Sequence, residues 1–552
     1  MFTFFQSTPV NLTAVHLIVS KYKMEFKKTI GIFVLVLFFT EFPASSAHRI
    51  LVLSPITTYS HDNYFKTVVE ALVDRGHFVT YWTGLPSKNQ DIKNQSDNLR
   101  QFHSPPLHQI NSDHHFDFNE RDRALDLLFT FPRRMETYCK AIYNDPVFHQ
   151  LMNSAGQYDL MIIEGAANEC VLPLVHKLKM PFIYMMGTWP SPWQLDAIGS
   201  TLGFDHYPNL ILNFGDEMNL WQRTINTLSG LVALYYWRWN VMTVVDRIAS
   251  ETLSIDNLTT IEEIEQRYLS LFIFNTHFSL NYQLPPSSSV IQAAGLNCAP
   301  SKPLTKDLES FVDGSGDDGC IILSFGSILK GIDLPDEVRR LFLSTFSRLK
   351  QLVIWKWEDE SKLGKDDLIP PNVKFMSWLP QQDLLGHPKV RLFITHGGLN
   401  SIQEAVYHRV PLIILPVFVD QPINARIAQS KGIAISLEWQ KLTEDVFYDA
   451  IQQILSDPSY KERIEKLSAV MQDQMESPMD RVIYWIEYVI RHEGASHLRT
   501  SSRKLSLYQR LLLDVILVIL VAGMILFYVF YRLFRCISSK RPSQKRDSKK
   551  TN

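Results

Sequence analysis

Cysteine is scarce in this chain. Cys139, Cys170, Cys298, Cys320 and Cys536 are the five among 552 residues. None stands in C-x-x-C spacing, so the pattern of a zinc site is missing. An oxidising compartment would permit a bridge among them, but the sequence assigns no pair. Excess charge is lacking as well. The 55 Lys and Arg stand against 57 Asp and Glu, a formal net charge of −2, which gives no general attraction to nucleic acid. No internal repeat stands out. One familiar string is misplaced: Gly314-Ser-Gly316-Asp-Asp-Gly319 fits G-x-G-x-x-G. A dinucleotide fingerprint follows a strand and opens a helix. This one precedes the apolar run Cys320–Ser324, so it reads as a turn. What the chain does have is apolar content, 46%, over a length that suits two or three domains.

Both ends carry targeting patterns. Lys21, Lys23, Lys27 and Lys28 precede the apolar run Ile30–Thr40, and Ala44-Ser-Ser-Ala47 follows. That order predicts a secretory signal over residues 1–47, with Met24 a candidate true start. Leu511–Tyr531 is apolar except for Asp514 and long enough to span a bilayer. Residues 532–552 form a basic tail, which belongs on the cytoplasmic side, so the body from residue 48 to about 508 is expected on the other. Asn94-Gln-Ser and Asn257-Leu-Thr are candidate glycan acceptors.

The stretch Val373–Gly432 holds the clearest chemistry. Three short apolar runs, Val373–Met376, Arg391–Thr395 and Pro411–Pro416, each give way to polar residues and a helix-like pattern, as buried parallel strands alternating with helices do. In an open α/β sheet the ligand sits beyond the carboxyl ends of the strands, so one site is predicted from three loops. Gly397 and Gly398 allow close backbone approach. Asn400 and Ser401 then open a helix whose free N–H groups suit a phosphate, and His396 can donate to a second one. Ser401 with Glu404 also has the spacing of a capping box. Trp378 can stack on a base, Glu404 can accept from ribose hydroxyls, and Asp420 and Gln421 offer an acceptor and an amide to sugar hydroxyls. The parts suit a nucleotide, a diphosphate and a hexose.

The same stretch closely resembles the signature of the UDP-glycosyltransferases, the animal glucuronosyl- and glucosyltransferases and their plant relatives. The matching pieces are Trp378-Leu-Pro-Gln381, His387-Pro388, Thr395-His-Gly-Gly-x-Asn-Ser401, Glu404-Ala405, Pro411-x-x-x-x-Pro416 and Asp420-Gln-Pro-x-Asn-Ala425. The resemblance implies an α/β chain of the GT-B kind, two Rossmann-like domains facing a cleft, followed by one transmembrane helix. Residues 48–283 would bind the acceptor, 284–304 form a Pro- and Ser-rich linker, and 305–508 bind the UDP-sugar. It implies Ser327, in the loop after Cys320–Ser324, and Trp378, Gln381, His396, Gly398, Asn400, Ser401, Glu404, Asp420 and Gln421 as donor-binding residues. The last amphipathic helix, Asp480–His492, would cross back to the first domain.

In the amino-terminal half, Ser60-His61 before a helix-like run and Arg75-Gly-His-Phe-Val-Thr80 resemble the family's opening, which makes His61 the implied general base. Related enzymes place an Asp at the end of a later strand to orient that histidine. This chain has Glu164 there, after Asp159-Leu-Met-Ile-Ile, while Asp159 at the strand's start should point away. The aromatic segment Leu220–Trp239 reads as a packed helical layer, with an acceptor pocket or contact with the membrane surface as alternatives.

The activity implied is inverting, metal-independent transfer of glucose or glucuronic acid from UDP to a hydroxyl of a small lipophilic acceptor, as in detoxification. No cofactor or metal is expected, since no acidic D-x-D cluster stands where it would hold one at the diphosphate. The ending Lys549-Lys550-Thr-Asn552 resembles a dilysine retrieval signal, so the expected location is the endoplasmic-reticulum membrane, single-pass, with the glycosylated body luminal. Assembly into a homo-oligomer stays open. Two other classes compete: a membrane-anchored UDP-sugar-binding protein without catalysis, and a nucleotide-dependent oxidoreductase, which the misplaced glycine string disfavours.

Overall fold

The computed structural model describes residues 47–86, 97–113, 124–209, 212, 214–327, 329–364 and 367–539. The expected signal segment before Ala47 with Met24, the sequon at Asn94, and the tail from Lys540 with Lys549 and Lys550 lie outside the described residues.

Two parallel sheets carry the fold. The first contains β1 (Arg49–Ser54), β2 (Phe78–Thr83), β3 (Leu99–His103), β4 (Leu160–Glu164), β5 (Phe182–Met186), β6 (Leu269–Phe274) and β7 (Val290–Gln292), in the order β3-β2-β1-β4-β5-β6-β7. The second contains β8 (Cys320–Ser324), β9 (Leu352–Lys356), β10 (Val373–Met376), β11 (Val390–Thr395), β12 (Leu412–Ile414) and β13 (Ala434–Ser436), in the order β10-β9-β8-β11-β12-β13. The central strands read as continuous apolar runs because both faces are covered. Alternate residues serve opposite layers. Ile50 and Val52 of β1 pack in one core, Leu51 and Leu53 in another. Ile321 and Leu323 of β8 divide from Cys320 and Ile322 in the same way.

Each sheet reverses its strand order once, between β1 and β4 in the first and between β8 and β11 in the second. These are the switch points where open α/β sheets leave a crevice for ligand. The six helices that matter below are α1 (Tyr59–Asp74), α2 (Leu220–Tyr236), α3 (Leu399–Tyr407), α4 (Gln421–Ser430), α5 (Pro478–Arg491) and α6 (Leu513–Ser539). α1 follows β1, α3 follows β11 and α4 follows β12.

Some boundaries differ from those read in the sequence. The stretch 284–304 is not all linker. The short strand Val290–Gln292 within it pairs with β6 as β7, a signal too brief to stand out beside the preceding Ser and Pro. α5 runs Pro478–Arg491, and Val482, Ile483, Ile486 and Val489 pack in the core beneath β1, together with Phe65, Val69 and Leu72 of α1. The apolar terminal helix is longer than Leu511–Tyr531. Its 27 residues span about 40 Å at 1.5 Å per residue, more than the roughly 30 Å hydrocarbon core. It is long and apolar enough to cross a membrane, and Asp514 lies in its first turn. Cys139 and Cys170, which the sequence could not pair, are bridged. Gly314–Gly319 forms a turn at the amino-terminal end of β8, opposite the crevice.

Candidate active site

The two switch points face one cleft of about 560 Å³. His61, Ser327, Trp378, Gln381, His396, Gly398, Asn400, Ser401, Glu404, Asp420 and Gln421 all line it. Glu164 does not. It is buried behind His61 at the end of β4.

His61 is placed by the first turn of α1. Thr58 is the N-cap, and its side-chain oxygen accepts from the His61 backbone N–H. The imidazole Nδ1 pairs with Glu164 Oε1, leaving Nε2 as the other ring nitrogen. The second oxygen, Glu164 Oε2, accepts from Ser54 Oγ at 2.6 Å. The longer Glu side chain is therefore held at both oxygens. The His61 ring packs against Gly187, where an added Cβ would stand 3.2 Å from Cδ2. Burial pushes the His61 pKa down, but the Glu164 charge and hydrogen bond, with a smaller contribution from Asp420, outweigh it and hold the pKa above its ordinary value. Asp159 points the other way, accepting from the Arg49 backbone N–H at 2.8 Å at the far end of the sheet.

Across the cleft, His396 is wedged between two backbone segments that only glycine permits. A Cβ on Gly326 would come within 2.7 Å of its Cε1, and one on Gly398 within 2.7 Å of its Nε2. Burial, and then the Lys356 charge, lower the His396 pKa to about 4, so at neutral pH the ring is an uncharged donor. Gly397 has φ +86°, and a Cβ there would meet Ile414 Cγ2 at 2.7 Å.

α3 begins at Leu399 with Gly398 as its N-cap, and no side chain caps it. The capping box expected from Ser401 and Glu404 is therefore absent, because the helix starts before Ser401. Its first N–H groups are left for an anion. Glu404 instead accepts from Gln381 Nε2 at 2.7 Å, and Ser401 Oγ lies 3.3 Å from the same nitrogen. Burial raises the Glu404 pKa to about 7, with Gln381 opposing. Trp378 is 58% exposed at the rim, with Lys356 Nζ 5.7 Å from its ring centroid.

Asp420 and Gln421 are fixed by the turn before α4. Gln421 Oε1 accepts from the backbone N–H groups of Val417 and Phe418 at 2.8 and 3.1 Å, so its amide N–H₂ is what remains to offer. Asp420 Oδ2 accepts from Asn424 Nδ2 at 2.8 Å, and burial raises its pKa against that bond. Val419 between these groups has φ +55°, strained for a β-branched residue.

The sequence reading missed the groups that join the halves. Trp189 Nε1 donates to Asn424 Oδ1 at 2.8 Å, and Asn275 Nδ2 donates to Asn400 Oδ1 at 2.6 Å. It also missed Lys356, which lines the cleft and donates to Gly326 O and Glu358 Oε1 at 2.7 and 2.9 Å. One signal would have found several of these. Ser54, Asn275 and Lys356, like Glu164, are the first polar residues to end an apolar strand run. Asn424 lies inside the Asp420–Ala425 motif, whose spacing alone does not show that it reaches across to the other half.

Two substrate-sized halves meeting at paired switch points, with a histidine–carboxylate pair facing an uncapped helix end, define a group-transfer site of the GT-B kind. The calicheamicin glycosyltransferase CalG4 has a similar solved structure, with TM-score 0.54 and 16% identity over 81% of this chain and 99% of that one. The family model described as UDP-glucoronosyl and UDP-glucosyl transferase matches residues 49–546, and the chain belongs to that family. Among its relatives, UDP-glycosyltransferase UGT5 of Dactylopius coccus is 32% identical over 87% of this chain and 91% of its own length. UDP-glucuronosyltransferase 2B1 of Rattus norvegicus is 30% identical over 95% and 100%. The chain is an enzyme of the UDP-glycosyltransferase type, with a UDP-sugar donor.

Proposed function

We propose that the enzyme transfers glucose or glucuronic acid from its UDP-sugar to a hydroxyl of a small lipophilic acceptor, with inversion. The observation that carries this reading is the His61–Glu164 pair at one switch point, opposite the uncapped start of α3 at the other. His61 takes the acceptor's proton through Nε2 as the oxygen attacks the anomeric carbon, and Glu164 stabilises the imidazolium that forms. Such proton removal is worth about 10²–10⁴-fold. Charge grows on the departing UDP, where His396, Ser327, Lys356 and the N–H groups of Asn400 and Ser401 are preorganised donors. Trp378 stacks on uracil, Glu404 accepts from ribose, and Asp420 with Gln421 holds the hexose. The groups proposed to meet the diphosphate are N–H, hydroxyl and ammonium donors, so the reaction needs no metal, and chelator should leave turnover unchanged.

A glucuronate carboxylate would need a cation within reach, which a neutral hexose would not, and Lys302 and Lys356 both line the cleft. Turnover of a phenol and steroid panel with UDP-glucose and with UDP-glucuronate tests both levels. Product from UDP-glucose alone supports the neutral donor, and product from UDP-glucuronate alone rejects it. UDP binding without any product would favour a sugar-nucleotide-binding protein.

The proposed location is the endoplasmic-reticulum membrane with the body luminal, a compartment in which the Cys139–Cys170 bridge would persist. Protease added to sealed microsomes should trim only the tail beyond Arg532. Digestion of the body with the membrane intact would reject the orientation.

A further inference from the structure

α2 is apolar on the side that faces out. Trp221, Ile225, Leu228, Val232, Tyr235 and Trp239 recur at alternating steps of four and three, one stripe of a helix carried past Tyr236 into the following turn. Trp221 is 71% exposed, Leu228 60%, Val232 64% and Trp239 67%. The opposite side, with Asn226, Gly230, Ala233, Leu234 and Trp237, is buried in the first domain. The core of that domain is thus satisfied without the stripe. A contiguous exposed apolar face of this kind marks an interaction site.

Its neighbour identifies the occupant. Tyr235 and Trp239 line one groove with Leu505, Leu507, Tyr508 and Arg510, the segment that leads into α6. That segment is fastened to the first domain. Arg503 donates to the carbonyls of Leu269 and Glu265 at 3.0 and 2.6 Å, Thr500 donates to Gly199 O at 3.1 Å, and Arg510 donates to Ser200 O at 3.0 Å. Arg510 also pairs with Asp196, and Asp196 pairs with Arg238, next to Trp239. α6 starts at Leu513, three residues after Arg510. Even fully extended, three residues reach about 11 Å, so the carboxyl end of the stripe sits at headgroup depth if α6 spans the bilayer. Trp and Tyr concentrate at that level, and a helix with one apolar face lies in the plane of the interface.

We propose that the outward face of α2, from Trp221 to Trp239, rests on the lipid surface into which α6 inserts. The body is then attached to the membrane at two places, a spanning helix and an interfacial one, and the acceptor domain is held against the bilayer.

α6 contains no tryptophan, so indole fluorescence reports on the body alone. The full-length protein is reconstituted in phosphatidylcholine vesicles with brominated or unbrominated acyl chains. Bromine should quench the wild-type emission, and the double variant Trp221→Phe/Trp239→Phe should lose that quenching while binding UDP as the wild type does. Absence of quenching in the wild type, or undiminished quenching in the double variant, would overturn the proposal. If the two indoles are shielded from aqueous iodide yet untouched by bromine, a second copy or another protein covers the face, and the lipid assignment is wrong.

Discussion

Replacing Glu164 by Gln should change both the height and the pH position of turnover. The carboxylate does two things in the structure. It accepts a hydrogen bond from His61 Nδ1, and its charge, with that bond, raises the His61 pKa against burial. A charge-assisted hydrogen bond contributes about 1.5–3 kcal/mol, or about 10- to 160-fold in rate at tenfold per 1.36 kcal/mol. Turnover should fall by that factor under saturating donor, less than the loss in His61→Ala. As the proposed base, His61 would work as neutral imidazole, so wild-type activity should rise with pH through the raised pKa. In Glu164→Gln, burial is opposed only by Asp420, the pKa drops, and the acid limb moves to lower pH. The deficit should therefore be smallest at acid pH. Stability has the opposite sense. A raised histidine pKa contributes stability that is fully present below about 6.5 and is lost as pH rises through the folded value. The melting penalty of Glu164→Gln should thus be larger at acid pH. UDP affinity, measured by titration, should be unchanged, since the donor loops belong to the second sheet. A lower plateau with an unmoved acid limb would refute the electrostatic role of Glu164.

Trp378→Ala should lose about 1–3 kcal/mol of UDP binding if the ring stacks on uracil, and equal affinity in a folded variant would reject that stacking. Ionised Glu404 is the better acceptor for ribose, and its pKa stands at about 7, so UDP should bind more tightly as pH rises through that value. Titrations of Glu404→Gln should lack this dependence. Ser54→Ala removes the donor to Glu164 Oε2 and should reduce turnover less than Glu164→Gln does, with an acid limb that shifts if the carboxylate swings away. Trp189→Phe leaves Asn424 Oδ1 without its buried donor, at a cost of about 1–3 kcal/mol, read as a lower melting temperature.

The half built on the second sheet was the more legible in sequence. Most of its cleft residues fall within sixty positions, because consecutive βα units place successive loops side by side, and Trp378, Gln381, His396, Gly398, Asn400, Ser401, Glu404, Asp420 and Gln421 all line the cleft. The half built on the first sheet is assembled from distant pieces, and Ser54 and Glu164 meet across 110 residues. The bond between the halves is longer still, with Asn275 meeting Asn400 across 125. No local periodicity encodes such pairs. The capping box failed for a different reason: Ser-x-x-Glu spacing suits a helix end, but Gly398 already supplies one, and Gln381 from another loop claims Glu404. For α2, composition left a packed layer, an acceptor pocket and a membrane surface side by side, and only the side on which each residue falls separates the buried stripe from the exposed one.

The return of α5 to the first domain sets a schedule for biosynthesis. Arg75 and Asp480, paired at 2.7 Å, are 405 residues apart in the chain. At about 5–20 residues per second, translation of that interval takes about 20–80 s. Throughout it the surface of β1 and α1 awaiting Val482, Ile483, Ile486 and Val489 has no permanent cover. The first domain to emerge is thus the last to be finished, and it must be sheltered while the second is made. A message broken off before α5 would leave the first domain open, since the product would lack the helix that completes its own beginning.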